Sequence, residues 1–135
     1  MKKEYRFFAS LALVALIGII WINYKSDTID EQKASSMTMI QNLSVALKSA
    51  DKCWTEKNIG ITDCASAENN LKNITDDQRT YLISNQGFIG IDYRHKNIII
   101  LTPEIAGKSI TWKCFGHPNK SLPKSCSAIE SNIDK

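Results

Sequence analysis

"NIIILTPEIAGKSITWKCFGHPNKSLPKSC", residues 97–126, holds two runs rich in β-branched residues, the second with an aromatic, around a turn-forming segment, then a loop bounded by cysteines. "NIIILT" and "SITWKC" have the composition of strands, and "PEIAGK" between them carries Pro and Gly where a chain reverses. Upstream, "FIGID" repeats the pattern ahead of the polar turn "YRHK". Three such runs predict an antiparallel meander whose apolar face is drawn from Phe88 or Ile89, Ile91, Ile98, Ile100, Ile110 and Trp112. A small sheet with one apolar face needs a cover to stand in water.

That cover lies upstream. "SDTIDEQKASSMTMIQNLSVALKSADKCW", 26–54, contains neither Pro nor Gly, and Met37, Ile40, Leu43, Leu47, Ala50 and Trp54 recur at three- and four-residue steps. Such spacing predicts an amphipathic helix over 25–52, whose stripe (Met37, Ile40, Leu43, Leu47) supplies the helical half of the core. No breaker separates it from "FFASLALVALIGIIWI" at 7–22, so one rod is expected from Phe7 to about Lys52, on the order of 70 Å at 1.5 Å per residue. The stretch 53–74, rich in Asn, Asp, Thr and Ser, reads as a surface connection. Thr75 or Asp76 is placed to cap a short helix over 76–83.

Residues 7–22 carry no charge, and with Asn23 and Tyr24 the run reaches the length of a bilayer-spanning helix. Phe7, Phe8, Leu11, Leu13, Leu16, Ile17, Ile20 and Trp21 form the expected anchor. Trp21 and Tyr24 suit a membrane–water boundary. Lys2, Lys3 and Arg6, in the basic segment 1–6, precede the span, which puts the N-terminus in the cytoplasm and the head, 25–126, outside. No A-x-A-like cleavage motif follows, so the run is read as a retained anchor rather than a removed signal. Of the formal charge of +3 in the whole chain, the first six residues hold most. The nearly neutral body has no general attraction for nucleic acid.

The four cysteines all follow the apolar run, spaced Cys53-x10-Cys64 and Cys114-x11-Cys126, neither of them a usual zinc spacing. Two disulfides in an oxidising compartment are the natural reading. Of the three possible connectivities, pairing neighbours closes two short loops, which favours Cys53–Cys64 and Cys114–Cys126. His95, in the turn, and His117, in the terminal loop, have no second ligand at metal spacing and are expected to be solvated. The sequence has no nucleophile elbow and no phosphate-binding Gly loop, so neither enzymatic activity, a cofactor nor a small-molecule substrate is expected. Lys108, Lys113, Lys120 and Lys124 read as a solvated basic rim, and 127–135 as a flexible polar tail.

The order of these parts is similar to that of type IV pilins: an apolar helix continuing into an amphipathic one, a connection, an antiparallel meander and a cysteine-closed loop. Residues 97–126 resemble the end of type IVa pilins, with a strand ending L-T-P, a Gly-containing turn, a strand ending T-W-x-C, then L-P-x-x-C. The resemblance implies an α+β pilin-like fold and a head loop closed by Cys114 and Cys126 that meets other subunits. The N-terminal third departs from the family pattern: Arg6 rather than Gly precedes Phe7, the apolar run has no Glu, and no Pro kinks its end. A subunit lacking the paired Glu should stack poorly in a fibre. The expectation is therefore a single-pass accessory protein of the bacterial inner membrane, its head in the periplasm, acting on pilin subunits or inner-membrane assembly proteins. The alternatives are a processed minor or tip pilin serving adhesion or DNA uptake, and an unrelated membrane-tethered periplasmic binding domain.

Overall fold

The computed structural model describes residues 2–128; the side chains of 2–13, 23, 25–27 and 128 lie outside that description. One helix, α1 (Lys2–Lys57), precedes a short α2 (Ala65–Ile74) and five strands: β1 (Arg79–Ser84), β2 (Gly87–Asp92), β3 (Asn97–Ala106), β4 (Ser109–His117) and β5 (Cys126–Ala128). The strands form one sheet in chain order. All pairings are antiparallel except β4 with β5. The class is α+β, with helix packed on an antiparallel-rich sheet.

α1 runs uninterrupted because nothing in it breaks a helix. It stops at Asn58, whose φ of 53° is the left-handed ending that Asn tolerates. The Asn58 N–H is donated to the Trp54 carbonyl at 3.1 Å. Its buried stripe, from Ser35 and Ser36 through Met39, Leu43, Ala46 and Ala50 to Cys53, meets Tyr81, Phe88, Ile99 and Leu101 on one face of the sheet. Phe88 and Trp112 stack at a tilt, ring centroids 5.4 Å apart.

Several expectations are corrected here. Met37 is exposed and Met39 takes the core position; Ile40 and Leu47 flank the core half-buried, and Leu43 is fully inside. On β3 the inward residues are Asn97, Ile99 and Leu101, opposite Asp92, Gly90 and Phe88 of β2, so Ile98 and Ile100 point to the other face. Both phases of "NIIIL" are apolar, and the inward one is fixed by Phe88, which a count of isoleucines does not weigh. Trp112 shares the inward face, and Ile110 is half-buried near the end of β4.

The helix expected over 76–83 is strand β1 instead, because "RTYLIS" pairs along its whole length with β2. Asp76 still acts as a cap, but for a turn: its Oδ1 accepts the N–H groups of Gln78 and Arg79 at 2.8 and 2.7 Å. Within the supposed connection, Ala67 and Leu71 are buried on α2, one helical turn apart. The tail begins as β5, with 129–135 outside the described residues.

The helix and sheet are also registered along the helix axis. The Met39 sulfur lies over Gly90, where an added Cβ would come within 3.3 Å of it. One turn nearer the N-terminus Ser35 binds Asp92, and a further turn on Gln32 donates to the His95 carbonyl at 2.7 Å. In the other direction Trp112 donates to Asp51 at 3.0 Å and Trp54 to the Gly107 carbonyl at 3.3 Å. The β2–β3 turn therefore lies at the end of the head that faces the apolar run, and the β3–β4 turn at the far end.

Candidate functional site

Three features stand out, and each grows from a local property of the sequence. The first is the helical arm. Val14, Leu16, Ile17, Ile19, Ile20, Trp21, Ile22 and Tyr24 are between 56 and 70% exposed, on all sides of α1. Apolar side chains all round a helix have no counterpart in an aqueous surface helix, which is polar on one face. Among the described residues no helix is long and apolar enough to cross a membrane. Of the expected anchor, Leu16, Ile17, Ile20 and Trp21 are in this exposed arm, and Phe7, Phe8, Leu11 and Leu13 lie outside the described side chains.

The second is a buried polar node where the arm joins the head. Asp92 is fully buried, and its carboxylate collects donors from three elements. Ser35 Oγ on α1 lies 2.5 Å from Oδ2, Arg79 Nε on β1 and His95 Nδ1 in the β2–β3 turn each lie 3.0 Å from it, and the His95 main-chain N–H reaches Oδ1 at 2.9 Å. A carboxylate only accepts, so His95 carries its proton on Nδ1. Beside it the Asn97 amide donates to Ser36 Oγ at 2.8 Å and to the Gln32 carbonyl at 3.0 Å. Burial alone would push the Asp92 carboxyl up; the Ser35 bond, the two His95 bonds and the His95 charge outweigh it and hold the group well below the usual carboxylate range. The arrangement fixes a charge inside the protein rather than presenting one, and its result is to lock α1 to the sheet. Among the described residues no buried side-chain nitrogen or oxygen lacks a hydrogen-bond partner.

The third is the terminal loop. Cys53 is bonded to Cys64 and Cys114 to Cys126. The second bond clamps β5 beside β4, with Cys114 opposite Cys126 and Gly116 opposite Ala128. Gly116 is needed there: a Cβ would come 2.5 Å from Leu122 Cδ2 and 2.7 Å from the Ile98 carbonyl oxygen, so only Gly lets the loop's Leu122 settle on the sheet. Between the loop and α1 runs a groove of about 420 Å³ lined by Met37, Ile40, Gln41, Pro123 and Ser125, which gives the exposed Met37 its setting.

Replacing Cys114 and Cys126 together with Ser is expected to cost about 3 kcal/mol, the stabilisation of closing a loop of this length in the chain-entropy account. Amide exchange should then speed up at Cys126–Ala128 while the Ile99 and Leu101 amides stay protected. Loss of protection throughout the sheet would show that the loop is part of the core instead.

The expected solvated role of His95 is corrected by its bonds to Asp92. His117 is exposed, and among the described residues no group of His, Cys, Asp and Glu could hold a metal ion. Lys113 pairs with Glu104 at 2.5 Å, and Lys108, Lys120 and Lys124 are exposed. The sequence reading missed Asp92 and its ring of Ser35, Ser36, Arg79 and Asn97. A signal existed in "KASSM", where adjacent serines interrupt the apolar stripe of a helix. No protein-family model matches the chain, and neither a curated protein nor a solved structure matches it.

Proposed function

We propose that the chain is a membrane-anchored, pilin-like accessory protein of type IV pilus assembly. The anchor is 7–24, and the head works in the periplasm on pilin subunits or on inner-membrane assembly proteins. The observation that carries this reading is the exposed apolar arm, continuous on one helix with the stripe that forms the head's core. Exposed on all sides in water, such an arm favours lipid or other apolar helices. The order of helix, meander and cysteine-closed loop supports the pilin likeness. Missing Gly and Glu near Phe7 favour an accessory role over that of main fibre subunit. The role is binding rather than catalysis, with contacts made through the arm and through the loop groove beside Met37.

The test is to shear pili from cells and sort fibres from membranes, reading the N-terminal peptide of this protein by mass spectrometry. The expected result is recovery in the membrane fraction with Lys2–Arg6 still attached. Recovery in fibres with a shortened start would instead make it a processed minor pilin. Recovery in neither would remove the anchored reading.

A further inference from the structure

We propose that the sheet face turned away from α1 pairs with the same face of a second copy, about a two-fold axis running along the strands. The direction of that axis rests on the anchored reading above; the face itself follows from the sheet register. Strand alternation puts Thr80 and Leu82 of β1, Ile89 and Ile91 of β2, Ile98 and Ile100 of β3, and Phe115 and His117 of β4 on the side opposite Phe88, Ile99 and Leu101. The pairing lines them up in two rows across the sheet, Leu82–Ile89–Ile100–Phe115 and Thr80–Ile91–Ile98–His117.

The six apolar members belong neither to the buried core nor to the residues packed against it, because both helices lie on the other side. Leu82 is 48% exposed, and the four isoleucines and Phe115 are half-buried. Beyond the rows, Glu104 and Lys113 pair with each other at 2.5 Å. At the arm end, Arg94 and Lys96 of the β2–β3 turn are offset by Asp76 and Asp77, held beside that turn by the Tyr93 N–H bond to the Gln78 carbonyl. The face is therefore apolar at its centre and close to neutral at its ends.

Such a face suits a copy of itself, because each row is symmetrical about the line between β2 and β3. Leu and Phe flank two isoleucines in one row, Thr and His flank two in the other. A two-fold axis over that line sets β1 against β4, and β2 against β3, of the second copy. Leu82 then meets Phe115, Ile89 meets Ile100, Ile91 meets Ile98 and Thr80 meets His117, with no like charges opposed. β3 runs from the arm end of the head to the far end, so this axis lies roughly along α1 and leaves both arms in one membrane. The same axis keeps the strands of the two sheets within about 30° of each other, as aligned sheet packing requires.

Size sets the strength. Four strands about 4.8 Å apart and six residues long at about 3.3 Å each make a face of roughly 400 Å², where a standard interface removes about 800 Å² per partner. The contact is therefore weak in free solution, and at the dilution of an unfolding experiment the face is bare. Anchoring both copies in one plane raises their effective concentration and makes up the difference.

The experiment puts the full chain into phosphatidylcholine vesicles with Leu82 replaced by photoreactive benzoylphenylalanine, then combines flotation, illumination and mass spectrometry of the crosslinks. The expected result is flotation and a crosslinked dimer, with position 82 joined to residues beside Phe115 of the second copy. Mixing isotopically heavy and light chains marks the link as intermolecular. Ile100→Asp, which sets a carboxylate against Ile89 of the second copy, should lower the dimer yield at least about tenfold. Unchanged exchange at the Ile99 and Leu101 amides would show that this variant is folded. If those amides open, Ile100→Thr keeps the β-branched shape and should lower the yield about threefold. Flotation with no dimer, or with links only to lipid or to 129–135 of the same chain, would overturn this inference and leave the anchor standing. A dimer yield unchanged by both substitutions would overturn it too, the arms then being the contact. A chain that does not float would overturn both.

Discussion

Replacing Asp92 with Ala should be among the most damaging single changes in the head, at about 3–5 kcal/mol. The carboxylate is fully buried, and removing it leaves the Arg79 guanidinium, only 19% exposed at its side chain, without a counter-charge. It also strips acceptors from Ser35 and from the ring and main chain of His95. Breaking a buried pair from one side is costly because the surviving group keeps its desolvation and loses its compensation. Asp92→Asn keeps the shape and some of the bonds, so it should fall between wild type and Asp92→Ala. Urea unfolding of the full chain in a mild non-ionic detergent would measure both.

The pH dependence follows from the direction of the Asp92 shift. Its carboxyl is harder to protonate in the folded head than in the unfolded chain, where it titrates near 4. The stabilisation is therefore complete above that range and is lost as pH falls below it toward the folded value. Wild type and Asp92→Asn should differ by a constant amount from about pH 5 upward and converge in acid. A gap that stays constant through pH 3 would mean that the charge is not what holds the node. Ser35 sits on α1 only eleven residues beyond Tyr24, so the node fastens the helix to the sheet just past the arm.

How much of this was legible in the sequence differs by element. The long helix was, since an unbroken apolar run followed by three- and four-residue spacing has no other economical reading. The β2–β4 meander was as well, because β-branched residues mark its strands, the polar "YRHK" its first turn and Gly107 its second, although Pro103, expected in that second turn, lies inside β3 and pairs with Trp112. α2 was hidden by composition: Ala67 and Leu71 give a helical stripe two residues long, too short to outweigh Asn, Asp and Ser around it. β1 was hidden by Thr75 and Asp76, whose side chains satisfy turn N–H groups as readily as helix ones. Asp92 was hidden for a more general reason. A buried charge looks the same in sequence as a surface one until its donors are known, and these come from α1, β1 and the turn, up to 57 residues away.

Phe88→Ala, Ile99→Ala and Ile98→Ala together test which face of β3 is inside. Phe88 and Ile99 are fully buried, Phe88 stacking on Trp112 and Ile99 pairing across the ladder with Gly90 beneath the Met39 sulfur. Truncating Phe88 removes a ring from a packed core and should cost about 3–5 kcal/mol; Ile99→Ala should cost about 2–5 kcal/mol. Ile98, adjacent in sequence and chemically identical to Ile99, is half-buried on the opposite face. Its replacement should cost about 1 kcal/mol or less, because neighbours there relax into solvent rather than enclosing a void. The contrast between two consecutive isoleucines is the sharp part of the prediction, since a one-residue slip of β3 would exchange their values. Equal losses at the two would mean that both faces of the sheet are covered, and that the outer face of β3 has a partner in addition to α1.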